Sequence, residues 1–274
     1  MKLKFGKHVP AGAFTEVNNL KDVQGEKDLR CVPLKHVGIK DLRWPIVLRD
    51  REKGTQHSIA KVTLAVDLPH DMRGTHMSRF VECLQTLGPV GLAEIEAILD
   101  TLKERLQAEK AFLKLEFPYF LTKAAPVSGQ KAPMDLDCVY QAEKGERFRL
   151  RIGTVVPVQT LCPCSKEISA YGAHNQRAFA RIDLQAHEMI WLEEIAAIAD
   201  AGASAPVYGL LKRPDEKFVT EKAYDNPRFV EDAVREIALR LEADSRIDWY
   251  RAEVESIESI HNHNAFAVVE KGWK

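Results

Sequence analysis

Cysteine is scarce in this chain, with five residues among 274, an odd number spread over the whole length. So few thiols exclude a disulfide framework and indicate a reducing compartment, in which cysteine serves metal binding or nucleophilic chemistry. An excess of charge is also lacking, because 39 Lys and Arg balance 40 Asp and Glu. Proteins that coat nucleic acid need a clear basic excess, so nucleic acid is not an expected partner.

Long hydrophobic runs are absent as well. No segment approaches the roughly 20 apolar residues that cross a bilayer, and the first residues, MKLKFGKHVPAGAF, contain no stretch typical of a signal peptide. We therefore expect a cytoplasmic protein without membrane partners. The length suits one large domain or two modules of about 100–150 residues each.

Hydrophobic patterning divides the chain into two halves of similar element order. The first half predicts strands over 42–50, 58–68 and 113–121, helices over 75–84 and 95–106, and a loop over 122–132. The second half predicts strands over 147–160, 177–186, 247–257 and 265–269, and helices over 190–198 and 227–241. Strand pairs around helix pairs favour an α+β fold with an antiparallel sheet and helices on one face. The expected parts are an extended arm (1–30), a first module (31–145) and a second module (146–274).

Reactive side chains are concentrated in residues 161–177, LCPCSKEISAYGAHNQR, between two predicted strands. Long loops in compact domains are usually functional or disordered, and this composition is poor for disorder. A single residue separates Cys162 from Cys164, which would strain a disulfide bridge between them. His174 follows Cys162 by twelve residues. A thiolate with an imidazole suits a divalent metal such as zinc. The alternative is that both thiols are small buried hydrophobes and His174 a surface residue.

A second cluster, IHNHN, lies near the carboxyl end. In a regular strand His261 and His263 project from the same face, where two imidazoles can transfer protons or bind metal or phosphate. Glu258 has the opposite parity and joins them only across a bulge. The alternative is a pair of exposed histidines at a sheet edge.

A third cluster is the predicted surface loop 213–229, RPDEKFVTEKAYDNPRF. Glu216 in this loop could reach a metal. Glu231 falls in the first turns of the helix that follows, where the helix dipole favours a negative charge. A carboxylate there is suited to accept hydrogen bonds from a pair of N–H groups on a ligand.

Five segments together resemble the type IB GTP cyclohydrolases. They appear in the family's order and span most of the chain: VGIKDLRWPI (37–46), LPHDMRGTHMSRF (68–80), the Cys-Pro-Cys run (162–177), RPDEKFVTEKAYDNPRFVED (213–232) and IESIHNHNAFA (257–267). The resemblance implies a tunnelling fold with two ββααββ modules, and a homotetramer with active sites at subunit interfaces. It further implies conversion of GTP and water to 7,8-dihydroneopterin triphosphate and formate, the first step of folate-type pterin synthesis.

The same resemblance implies roles for individual residues. Cys162, preferred to Cys164, would bind a divalent metal (zinc, manganese or iron) together with His174 and Glu216. Glu231 would hold the guanine edge. His261, His263 and Glu258 would serve proton transfer. The triphosphate needs several donors, and Lys166, His76, Ser78 and Arg79 are the candidates.

Two other functions are compatible with these residues. One is another tunnelling-fold purine or pterin enzyme, such as a nitrile reductase that uses NADPH and a cysteine nucleophile. The other is a non-catalytic protein in which the Cys-His loop is a structural metal clip. Such a clip needs four closed ligands, whereas the motifs offer three and an open position of the catalytic kind.

Overall fold

A computed structural model describes residues 21–272 of the protein. Residues 1–20 of the predicted arm lie outside the described part. Residues 21–30 run beside the segment after β2, where Lys27 forms an isolated bridge with Met72. The arm and the two module boundaries remain predictions.

The described residues form one antiparallel sheet of nine strands, with helices packed against one face. The strands are β1 (Leu34–Asp50), β2 (Gly54–Leu68), β3 (Ala111–Ala124), β4 (Lys131–Lys144), β5 (Phe148–Leu161), β6 (Asn175–Ala186), β7 (Ala205–Pro206), β8 (Ile247–Ser256) and β9 (Ala265–Lys271). Their order is β1-β2-β3-β4-β5-β6-β8-β9, and β7 pairs with β5. The helices are α1 (Met77–Leu84), α2 (Leu92–Leu106), α3 (Pro163–Ile168), α4 (Leu192–Gly202), α5 (Arg213–Asp225) and α6 (Val230–Ala243).

The core lies between the sheet and α1, α2, α4 and α6. Strand side chains alternate, so that in β3 Leu113 and Leu115 are buried while Lys114 and Glu116 lie on the open face. The helices bury residues at three- and four-residue spacing, as with Val234, Ile237 and Leu241 of α6. The predicted α+β architecture with an antiparallel sheet is confirmed. None of the helices in residues 21–272 is long and apolar enough to traverse a membrane.

Two sequence interpretations need correction. Strand β4 was not assigned, although its alternation is regular, with Leu136, Cys138, Tyr140 and Ala142 buried; the expected loop over 122–132 shrinks accordingly to residues 125–130. The expected surface loop 213–229 is wrong over most of its length, because it contains the helix α5. Charged residues dominate α5 and only two of its residues are buried, so its sequence has no apolar periodicity that would predict a helix.

Asp215 ties α5 to the loop between β3 and β4. Its carboxylate is fully buried and accepts hydrogen bonds from the backbone N–H groups of Val127, Ser128 and Lys212, each at 2.8 Å, and from the Ser128 hydroxyl at 2.7 Å. Burial alone would raise the pKa of Asp215, but these hydrogen bonds outweigh it and hold the pKa well below its ordinary value. The ionised form therefore stabilises the folded state.

Replacing Asp215 by Ala should lower the free energy of unfolding by about 3 kcal/mol or more at neutral pH. The change removes a charged acceptor of four hydrogen bonds, each of which contributes about 1.5–3 kcal/mol when shielded from water and less here, because the donors belong to exposed residues. Because the folded-state pKa lies below the ordinary value of 3.8, the stabilisation is present above that pH and is lost progressively as the pH falls from there through the folded-state pKa. Denaturant unfolding should show a gap between parent and variant that is constant near neutral pH and shrinks below about pH 4. Exposed Asp225→Ala on the same helix is the control; an equal loss there would contradict this account.

Candidate active site

A cavity of about 510 Å³ lies at one edge of the sheet, where β5, β6, β8 and β9 meet the start of α6. It is bounded by the β5–β6 connection, the β8–β9 loop and the first turn of α6. Six of the predicted site residues line it: Cys162, His174, Glu231, Glu258, His261 and His263. The topology thus collects groups from three separate sequence motifs.

Cys162 occupies the point at which β5 ends and α3 begins. It is the N-cap residue of α3, its backbone N–H donates to the carbonyl of His174 at 3.1 Å, and its Sγ accepts from the Ser165 N–H at 3.4 Å. Cys164 is exposed and does not line the cavity. The structure therefore distinguishes the two thiols, since Cys162 lines the cavity and Cys164 does not.

His174 lies opposite Cys162, just before β6. Its side chain is 14% exposed, and Nδ1 lies 2.9 Å from Oε1 of Gln176 and 3.9 Å from Oε2 of Glu258, whose side chain is 12% exposed. Both groups therefore face the interior of the site. With Nδ1 engaged by Gln176, Nε2 is the nitrogen left to bind another group.

The second histidine motif lies in the β8–β9 loop, residues 257–264, and not in a strand. The expectation that a regular strand places His261 and His263 on one face is therefore wrong, and Glu258 needs no bulge to join them. The rings of His261 and His263 nevertheless stack at a centroid distance of 5.1 Å and an angle of 20°. His261 also lies edge-on to His174, with centroids 6.5 Å apart.

Glu231 stands in the first turn of α6, as expected, and is exposed towards the cavity. Arg228 fixes the start of this helix against the core: its N–H donates to the Leu161 carbonyl at 3.0 Å and its Nη1 to the Gly202 carbonyl at 2.8 Å. Arg228 also donates through Nε to Asn226 at 3.1 Å. The carboxylate of Glu231 is thus presented from a firmly anchored helix end.

Five predicted site residues do not line this cavity. The side chain of Lys166 lies 4.2 Å from the Tyr224 ring centroid and donates to the Tyr224 carbonyl. His76 precedes α1 and approaches Asp22 at 3.4 Å, while Arg79 in α1 donates to the Arg105 carbonyl at 2.9 Å. The others are Ser78, also in α1, and Glu216, exposed on α5.

Comparison with known proteins decides the family. A family model described as type I GTP cyclohydrolase folE2 matches residues 20–267. The chain belongs to this family. Proteins named GTP cyclohydrolase FolE2 from Caldicellulosiruptor saccharolyticus and Thermotoga maritima are each 57% identical to it, over 91% and 92% of this chain and 97% and 98% of theirs. The protein of that name from Dictyoglomus turgidum is 51% identical over 93% of this chain and 99% of its own. The predicted family is confirmed.

Solved structures bear on the fold of this FolE2-family chain. Urate oxidase from Bacillus sp. TB-90, solved without chloride, superposes with a TM-score of 0.51 at 11% identity, covering 87% of this chain and 99% of that one. A highly active mutant of the same urate oxidase gives the same values. At such low identity the likeness concerns fold alone, and it confirms the predicted tunnelling fold.

The donors in the cavity fit a divalent cation in part. Cys162 and His174 supply a thiolate and an imidazole Nε2, the ligand types that zinc and related ions prefer. No three His, Cys, Asp or Glu side chains in residues 21–272 are grouped closely enough to hold a metal ion. Glu216 is not brought to the other two within a single chain, so its role as third ligand remains a prediction.

Gln176, Thr160 and Ser256 line the cavity and were not singled out from the sequence. The Gln176 amide donates to Thr160 Oγ1 at 3.1 Å, and the Thr160 and Ser256 hydroxyls lie 3.2 Å apart. Gln176 stands in the AHNQR run beside His174, and that position is the signal that could have identified it. Thr160 and Ser256 carry neutral side chains outside the motifs, so the sequence gives no sign of their position in the cavity.

Proposed function

We propose that this protein is a GTP cyclohydrolase that acts in the cavity between β5, β6, β8 and α6. The supporting observation is that Cys162, His174, Glu231, Glu258 and His261, drawn from three motifs, line one cavity. Curated relatives that carry this enzyme's name are 51–57% identical over nearly the whole chain. The family match also favours this activity over a nitrile reductase or a non-catalytic metal clip. The reaction is GTP and water to 7,8-dihydroneopterin triphosphate and formate.

Cys162 and His174 are the metal ligands in this proposal, with Glu216 as the third and zinc, manganese or iron as the ion. A divalent ion held by these residues would lower the pKa of a water molecule towards neutrality and would so supply hydroxide. The chemistry of the two donors supports this, since a thiolate and an imidazole nitrogen suit a borderline-soft cation.

The remaining side chains bind the base and move protons. Glu231 accepts hydrogen bonds from the guanine N1–H and 2-amino groups and fixes the base by one edge. An imidazole of the stacked pair His261 and His263 donates a proton to N7, which makes C8 more electrophilic towards hydroxide. After addition of the first water at C8 and ring opening, a second hydrolysis releases C8 as formate. The rearranged ribose then closes on the freed amine with loss of one water, so that one water is consumed overall. Glu258 accepts protons during these steps.

The triphosphate of GTP needs more cationic side chains than the cavity of one chain offers. Arg228 is the one Lys or Arg that lines the cavity in residues 21–272, and its Nε and Nη1 already donate to Asn226 and Gly202. His76, Ser78 and Arg79 lie at the start of α1, which packs against β1 and α2 and not against the strands of the cavity. We therefore propose that they serve the cavity of a neighbouring copy in a homotetramer, beside Lys166. A monomeric mass for the active enzyme in light scattering would contradict this.

The cytoplasm is the proposed compartment, because it supplies GTP and keeps Cys162 reduced.

Removal of the metal should abolish the activity reversibly. Treatment with a strong chelator followed by gel filtration is expected to stop formate release, and added Zn²⁺, Mn²⁺ or Fe²⁺ to restore it, because hydroxide at neutral pH depends on the ion. Formate and the fluorescence of the oxidised pterin are measured in parallel. Chelator saturated with metal beforehand is the control. An enzyme that keeps full activity after its metal content has fallen to background would refute the metal part of the proposal.

A further inference from the structure

The Gln176 amide connects three parts of the site. Its Oε1 lies 2.9 Å from His174 Nδ1 and accepts from the Ser259 hydroxyl at 3.4 Å. Its Nε2 donates to Thr160 Oγ1 at 3.1 Å and to Glu258 Oε1 at 3.5 Å. Thr160 lies at the end of β5, His174 lies in the β5–β6 connection, and Glu258 and Ser259 lie in the β8–β9 loop, so one amide side chain joins all three segments.

The chemistry of these partners leaves one orientation for the amide. An ionised carboxylate only accepts hydrogen bonds, so Glu258 requires the NH₂ end of Gln176 to face it. The carbonyl end then faces His174 and can only accept, so Nδ1 of the imidazole must carry a proton. A neutral imidazole with Nδ1 protonated has its lone pair on Nε2. The orientation of one amide thereby selects the tautomer of the histidine.

We propose that Gln176 is a positioning residue that transmits the acceptor character of Glu258 to His174 and holds the Nε2 lone pair towards the cavity. This inference rests on the proposed function in one respect: the Nε2 lone pair is there to bind the metal. Partners that orient a ligating histidine typically contribute about 10–100-fold to metal affinity or activity. The tautomer itself follows from the hydrogen bonds alone.

Four variants test this network. Gln176→Met keeps the length of the side chain and removes both hydrogen-bonding ends. Gln176→Glu keeps an acceptor for His174 but places a second carboxylate beside Glu258. Glu258→Gln leaves the amide orientation undetermined, because a second amide can donate or accept. The exchange Gln176→Glu with Glu258→Gln restores an acceptor at His174 and a donor behind it.

Gln159→Met is the matched control. Gln159 lies on the adjacent strand β5, donates to Asn175 Oδ1 at 3.0 Å and does not line the candidate active site. The first readout is the ¹⁵N solid-state NMR spectrum of the metal-free protein with labelled histidine, with His174 assigned by comparison with His174→Ala. The second is metal affinity by competition with a chromophoric chelator. Thermal unfolding is followed in all variants.

The parent and Gln159→Met should show His174 protonated at Nδ1, whereas Gln176→Met should show a mixture of tautomers and bind metal about 10–100-fold more weakly. The exchanged pair should bind metal more tightly than either of its single variants, a recovery that a merely structural role would not produce. An unchanged His174 tautomer in Gln176→Met overturns the inference, and so does an exchanged pair no better than its single variants. If the parent binds no metal, the proposed function fails, while the tautomer comparison still decides the role of Gln176.

Discussion

Serine in place of Cys162 should lower formate release from GTP by more than about a hundredfold while the protein stays folded. Loss of a group that only orients a metal-bound histidine already costs about 10–100-fold, and the loss of a ligand removes more. A serine hydroxyl remains protonated at neutral pH and does not replace the thiolate. Formate release, metal content and circular dichroism are measured on the same preparation.

Cys164→Ser is the matched control for this result. Cys164 is two residues away, exposed and outside the cavity, so its replacement should leave activity close to that of the parent. The opposite pattern, with Cys164→Ser inactive and Cys162→Ser active, would exchange the two assignments. Full activity in both variants would remove the thiol from the mechanism.

Glu231→Gln should raise the KM for GTP by about 10–100-fold and leave the metal content unchanged. A hydrogen bond to a charged partner contributes about 1.5–3 kcal/mol. The carboxylate accepts hydrogen bonds from two guanine N–H groups, whereas the amide of Gln presents an NH₂ donor to one of them. Inosine triphosphate, which lacks the 2-amino group, sharpens the test. The parent should prefer GTP over it strongly, and the variant should lose most of that preference.

Two outcomes would contradict the role given to Glu231. If the variant loses its metal and binds GTP as before, Glu231 and Glu216 exchange roles. If it retains the parent's preference for GTP over inosine triphosphate, the 2-amino group is recognised elsewhere. Glu216→Gln, exposed on α5, is measured beside it and is expected to show the reverse behaviour, with lower metal content.

Hydrophobic periodicity predicted those parts of the fold where one face is buried. Helices α2 and α6 were identified because Leu99 and Ile237, with their neighbours, recur at helical spacing along one face. Helix α5 carries no such pattern, because it buries only Asp215 and Ala223, and the hydrogen bonds that Asp215 accepts leave no apolar repeat in the sequence. Sheet order likewise depends on contacts between residues that are distant in sequence.

The candidate site was predictable to the extent that its chemistry lies in single motifs. Cys162 and His174 share one connection, and their backbones are hydrogen-bonded in the structure. The approach of Glu258 to His174 depends on the pairing of β6 with β8, which no local pattern encodes.

The central claim is that Cys162 and His174 together hold a divalent cation in the cavity. The most direct test is an X-ray anomalous difference map of crystals of the active enzyme, recorded on both sides of the absorption edge of its metal. The account predicts one strong peak per chain, within bonding distance of Cys162 Sγ and His174 Nε2. A peak at any other place in the active enzyme, or Sγ and Nε2 turned away from it, would contradict the account.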